Sequence, residues 1–123
     1  MEDIQLNRNS VINVDIPCFE RVTGESGKEH TAYKIVISKA GGIHEIKKRY
    51  SEFHRLYNVL NKTNQLPRNI EFPPRITLPH VSKSVKEDRR KKLKVFLQDL
   101  CDCNPIAQEL LDFFMISRPI QAN

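Results

Sequence analysis

A chain of 123 residues, 39% hydrophobic and 28% charged, holds enough apolar material for one core and has the make-up of a single globular domain. No apolar run approaches the roughly 20 residues that span a bilayer, and the start, Met1-Glu2-Asp3, lacks the basic and then apolar pattern of a secretory signal. Twenty Lys and Arg against 15 Asp and Glu leave a net charge of +5, which points to nucleic acid, a membrane surface or a phosphorylated ligand, or else only to a soluble basic surface.

Residues 1–10 are polar and are expected to form a flexible N-terminal segment. Val11-Ile12-Asn13-Val14-Asp15-Ile16 alternates in part and is β-branched, which predicts a first strand ended by Pro17. Gly24, Ser26 and Gly27 mark a turn over residues 23–29. Residues 31–38 form the second strand, with Tyr33, Ile35 and Ile37 on one face. Gly41-Gly42 can take the positive φ angles of a tight hairpin, and residues 43–49 return as the third strand.

The hydrophobic period then changes. Tyr50, Phe53, Leu56, Tyr57 and Leu60 recur at helical spacing, so a helix is expected from about residue 51 to 61. Pro67, Pro73, Pro74 and Pro79 exclude a regular helix over residues 66–79 and leave a long, stiffened loop. Ser84-Val85-Lys86-Glu87 reads as a capping box that opens a second helix running to about residue 101, with Leu93, Phe96, Leu97 and Leu100 as its buried stripe. Asn104-Pro105 reads as cap and first residue of a short third helix, which buries Leu110, Leu111, Phe113 and Phe114. Residues 117–123 read as a C-terminal tail. The expected fold is α+β: a three-stranded antiparallel β-meander packed against a helical subdomain of about three helices, with the proline-rich loop between the first and second helices.

Charge gathers where strand becomes helix, at Lys47-Lys48-Arg49-Tyr50-Ser51-Glu52-Phe53. The first turn of a helix already carries positive potential, so three cations there call for something negative. Arg49 ends a strand beside those amide donors, and its planar guanidinium can grip a phosphate through paired hydrogen bonds. Tyr50 either supports a flat ring or is the first core residue of the helical stripe. Arg89 lies four, seven and eleven residues before Leu93, Phe96 and Leu100 and so points inward, whereas Arg90, Lys91 and Lys94 lie off that stripe in solvent. An inward arginine needs an anion, a carboxylate such as Glu52, or a route for its head back to water. Arg75 stands in the proline loop, which restricts where its side chain can reach.

Arg49-Tyr50-Ser51-Glu52-Phe53 resembles the Arg-Tyr-x-x-Phe signature of PX (phox homology) domains, especially those of sorting nexins; the likeness in order and spacing runs from about Val11 to Phe114, and the domain is expected over residues 11–116. The resemblance implies a phosphoinositide-binding module, most often for phosphatidylinositol 3-phosphate, that recruits its protein to the cytoplasmic face of early endosomal membranes for trafficking and sorting. By position Arg49 would hold the 3-phosphate, Tyr50 would lie under the inositol ring, Arg75 would meet the 1-phosphate where the family commonly has lysine, and Arg89 would bind the 4- and 5-hydroxyls. It implies peripheral attachment to the membrane, with a protein cargo or coat component as a candidate further partner; no cofactor is expected, and the residues themselves offer no activated nucleophile, so no enzyme is expected.

Ile76, Leu78 and Val81 follow Arg75 on the stiffened loop, and either enter the lipid interface or fold back into the core. Lys47, Lys83 and Lys86 would add attraction to anionic lipid. Between Lys47 and Lys48, strand alternation puts Lys47 on the side of Arg49.

Other chemistry finds little footing. Cys18, Cys101 and Cys103 are too few for a disulfide framework and fit a reducing, cytoplasmic compartment; no metal site is expected, because Cys101-Asp102-Cys103 has no second ligand pair. The glycines form no phosphate loop, and the four histidines form no catalytic constellation visible in the sequence. The cluster of cations from Arg89 to Lys94 has no interleaved aromatics, which argues against a nucleic-acid platform. The alternative function is a protein-interaction module with a degenerate lipid pocket.

Overall fold

β-Branched and aromatic side chains at every second position draw the first half of the chain into three strands, β1 (Asn13–Thr23), β2 (Glu29–Lys39) and β3 (Gly42–Arg49). They pair antiparallel in the order β1-β2-β3, as the meander reading expects. The computed structural model describes residues 12–75 and 82–116 of the chain. Three helices follow: α1 (Tyr50–Lys62), α2 (Lys83–Cys101) and α3 (Gln108–Phe114). Val14 and Ile16 of β1, Tyr33, Ile35 and Ile37 of β2 and Ile46 of β3 turn one sheet face into the core. The helices cover that face with Phe53, Leu56, Leu60, Leu93, Phe96, Leu97 and Leu100, joined by Leu110 and Phe114. Phe53 links the layers, its ring edge-on to Tyr33 at 6.1 Å and to Phe113 at 5.1 Å.

β1 does not end at Pro17. It continues to Thr23, and its register against β2 shifts between Asp15 and Cys18. β1 is an edge strand, so the missing proline N–H breaks no ladder, and a bulge absorbs the residue. Side chains of α2 meet the backbone of the first half of this strand. Val14 N–H donates to Gln98 Oε1 (2.9 Å), Gln98 Nε2 donates to the Ile12 carbonyl (3.0 Å), and Arg90 Nη1 donates to that of Ile16 (2.7 Å). Arg90 is therefore half-buried and held to Glu87, rather than free in solvent as its place off the apolar stripe suggested.

At the β2–β3 turn, Gly41 and Gly42 have φ of 100° and 142°, which side chains beyond glycine rarely adopt. After α1 the loop returns to the core through Phe72, which stacks on Tyr57 at 4.8 Å and meets Phe96 edge-on at 4.9 Å. Pro73 is fully buried beside it. The far part of the loop, with Ile76, Leu78, Pro79 and Val81, lies outside the described residues.

Two helix starts differ from expectation. Ser82, not Ser84, caps α2: its Oγ accepts the Val85 N–H at 3.2 Å. Glu87 is turned to Arg90 instead of closing a box with Ser84. α3 begins at Gln108 with Ala107 as its cap, three residues beyond Asn104-Pro105, whose peptide bond is cis. Ile106 and Ala107 pack against the core before the helix begins, and the Ala107 carbonyl accepts from Leu110 and Leu111. Cys101 packs at the end of α2, and burial pushes its thiol up to about 12.

Candidate functional site

β3 stops at Arg49, opposite Ala32, while β2 reaches back to Glu29 and β1 on to Thr23. A two-stranded ribbon therefore overhangs the point where α1 departs. Ribbon, α1 start and α2 start enclose a cavity of about 610 Å³. Arg49, Tyr50, Lys86 and Arg89 line it from the helical side; Arg21, Glu29, His30 and Thr31 line it from the ribbon.

Arg49 is the N-cap of α1, with extended backbone. Its N–H donates to Glu52 Oε1 at 3.0 Å, which ties the last strand residue to the first helical turn and leaves the guanidinium exposed at the positive helix end. Glu52 also faces Lys48 Nζ at 3.6 Å, so it does not serve Arg89 as the carboxylate partner that the sequence left open. Lys48 lies over the Phe113 ring at 5.0 Å, away from the cavity.

Tyr50 is half-buried, and its hydroxyl donates to the Pro73 carbonyl at 2.7 Å. That bond anchors the proline loop to the α1 start. The Arg89 guanidinium carbon stands 4.1 Å from the centre of the Tyr50 ring, a cation–π contact between two residues singled out for the same site. Burial raises the Tyr50 phenol above its ordinary value, against the pull of Arg89 and then Arg75.

Arg89 is 8% exposed, the buried charge of the helical side. Its Nε is fully buried and has no hydrogen-bond partner among the described residues. Tyr33, beneath it in β2, has its phenol raised by burial while the Arg89 charge draws it down. Its hydroxyl donates to the Lys86 carbonyl at 3.5 Å.

The fold thus brings Arg49, Tyr50 and Arg89 together and adds Lys86 to them. Arg75 does not line this cavity: it is exposed on the loop, with Nη2 3.4 Å from His54 Nδ1. His54 in turn lies beside the Tyr50 ring, 6.0 Å between centres, so Arg75 is one side chain removed from the cavity. Lys47 bridges to Glu20 across the sheet at 2.8 Å, which raises its pKa, and Lys83 is exposed in the first turn of α2; neither lines the cavity. Ile76, Leu78 and Val81 fall outside the described residues.

The ribbon residues Arg21, Glu29, His30 and Thr31 were missed from the sequence. The signal was the unequal strand length: β3 is 8 residues long and β2 is 11, so something must project past Arg49. Chemically the cavity offers, among the described residues, four cations (Arg21, Arg49, Lys86 and Arg89) and an aromatic face with one carboxylate, a set that suits an anion carried on a ring. Among the described residues no helix is long and apolar enough to cross a membrane, and no group of three His, Cys, Asp or Glu residues could hold a metal ion.

Comparison with known proteins places these features in context. The PX domain family matches residues 38–117. Sorting nexin-24 of Rattus norvegicus is 32% identical over 106 residues, covering 85% of this chain and 60% of that protein. Human sorting nexin-22 is 30% identical over 90 residues, covering 72% of this chain and 45% of that protein. The chain therefore spans about 60% or less of the length of these two relatives. Among solved structures, a designed CISK-PX domain superposes with a TM-score of 0.70 at 24% identity, over 82% of this chain and 96% of that one.

Proposed function

The chain belongs to the PX domain family, a family of phosphoinositide-binding modules found in sorting nexins, and from that premise we propose that it binds phosphatidylinositol 3-phosphate and so attaches its protein to the cytoplasmic face of early endosomal membranes for trafficking. The observation that carries this reading is Arg89: a buried arginine with an unpartnered Nε, lining one cavity with the N-cap Arg49. Leaving such a donor unsatisfied costs about 1–3 kcal/mol, a cost that an acceptor on the ligand removes.

In this proposal Arg49 takes the 3-phosphate, helped by the first-turn amides of α1. Arg89 donates to the 4- and 5-hydroxyls. For the inositol ring to lie on Tyr50, the Arg89 guanidinium leaves the face it now covers, exchanging a cation–π contact for hydrogen bonds. Arg75, on the far side of His54, meets the 1-phosphate at the lipid surface. Ile76, Leu78 and Val81 enter the interface, and Lys47, Lys83 and Lys86 add attraction to anionic lipid.

Co-sedimentation with vesicles of neutral lipid, with and without a few per cent phosphatidylinositol 3-phosphate, tests the proposal. Loss of one charge-assisted phosphate contact in Arg49→Ala should weaken binding about tenfold or more. Binding that ignores the phosphoinositide, or that survives Arg49→Ala in a folded protein, would refute the reading.

A further inference from the structure

Among the described residues that line the cavity, Glu29 is the single carboxylate. An acid on the wall of an anion site opposes the ligand unless it serves to choose between ligands. Its place is set by the fold. Ala32 pairs with Arg49 at the end of β3, and Glu29 stands three residues further along β2, about 10 Å on at 3.3 Å per residue. Arg49 thus marks one end of the cavity and Glu29 the ribbon side beyond it. With a phosphate held at Arg49 and the ring over Tyr50, the 4- and 5-positions lie between Arg89 on the helical side and Glu29 on the overhang.

Arg21 Nε lies 3.6 Å from Glu29 Oε1, but both side chains are open to water, 71% and 57% exposed. An ion pair this exposed is weak and screened, so Arg21 offsets only part of the field that Glu29 presents to the cavity. Hydroxyls on the far side of the ring can donate to the carboxylate. A second phosphate there would instead meet a like charge. Discrimination through a built-in repulsion is the more effective kind where attraction alone, here from Arg21, Arg49, Arg89 and Lys86, would favour the more highly charged ligand.

We infer that Glu29 is a specificity-determining residue, an acidic filter that restricts the cavity to headgroups with a single phosphomonoester on the ring and turns away those with more. This inference rests on the headgroup reading of the same cavity. It concerns rejection, whereas that reading concerns attachment, and the two fail separately.

The test is a vesicle panel carrying, one at a time, phosphatidylinositol 3-phosphate and the 3,4-, 3,5- and 4,5-bisphosphates, run with the wild-type chain, Glu29→Gln, Glu25→Gln and Arg21→Ala/Glu29→Gln. Glu25 lies exposed in the β1–β2 turn and does not line the cavity, so Glu25→Gln makes the same change in net charge away from it. The expected result is about a five- to tenfold gain for at least one bisphosphate in Glu29→Gln, with monophosphate binding unchanged, little gain in Glu25→Gln, and the gain kept in the double variant. No gain in Glu29→Gln, or an equal gain in Glu25→Gln, overturns the filter. So does a gain that vanishes in the double variant, because released Arg21 would then be its cause. A wild-type chain that binds none of the lipids refutes the headgroup reading itself, whereas wild-type monophosphate binding without the Glu29→Gln gain refutes the filter alone.

Discussion

The helical side of the cavity is continuous with the core, and the ribbon side hangs clear of it. Arg89 stands one turn before Leu93 on a helix whose next turns bury Phe96, Leu97 and Leu100. Tyr50 opens the helix that carries Phe53. Arg21 and Glu29 lie on two strands past the end of β3, where their side chains meet mostly water. The difference separates two kinds of site residue. Those on the helices are aimed by burial, so their geometry is only as good as the packing beneath them. Those on the ribbon carry charge that can be changed with the fold intact.

Four substitutions probe this division, measured by urea unfolding. Phe96→Ala should cost most, about 3–5 kcal/mol, because a fully buried ring between Tyr57 and Phe72 leaves a cavity under the helical wall. A loss well below that range would mean the wall does not depend on this core. Ser82→Ala should cost about 1 kcal/mol as a lost helix cap, while Ser84→Ala should cost much less. The reverse order would return the cap of α2 to Ser84 and move the helix start that presents Lys86 and Arg89. Arg21→Ala should leave the unfolding midpoint unchanged, since it removes only an exposed pair. A clear drop would show that the ribbon is tied to the core after all.

Much of this architecture was legible in the sequence because it follows from period. Alternation over Tyr33, Ile35 and Ile37 marked a buried strand face, and the spacing of Phe53, Leu56 and Leu60 marked the helix after it. Arg89 was readable as inward because its offset from Leu93 is fixed by helix geometry. What escaped depends on neighbours distant in the chain. Pro17 read as a stop because its tolerance depends on having no strand on one side. Arg90 read as solvated because the Ile16 carbonyl that holds it is 74 residues away. The α2 cap was mistaken because Ser82 and Ser84 are both good caps, and the Glu87 three residues after Ser84 favoured the wrong one. The ribbon wall was missed because alternation tells which face a side chain takes, but not that a neighbouring strand has already ended.

The bonds from Gln98 and Arg90 to β1 have a consequence for how copies of this protein behave at high concentration. A bare edge strand is a template on which another chain can add itself, and growth of that kind leads to aggregates. Here the Val14 N–H and the carbonyls of Ile12 and Ile16 are already occupied by side chains of α2, and Pro17 offers no N–H at all. The first half of the edge is thereby closed to recruitment, and the second half, from Cys18 to Thr23, begins only after the bulge has changed the register.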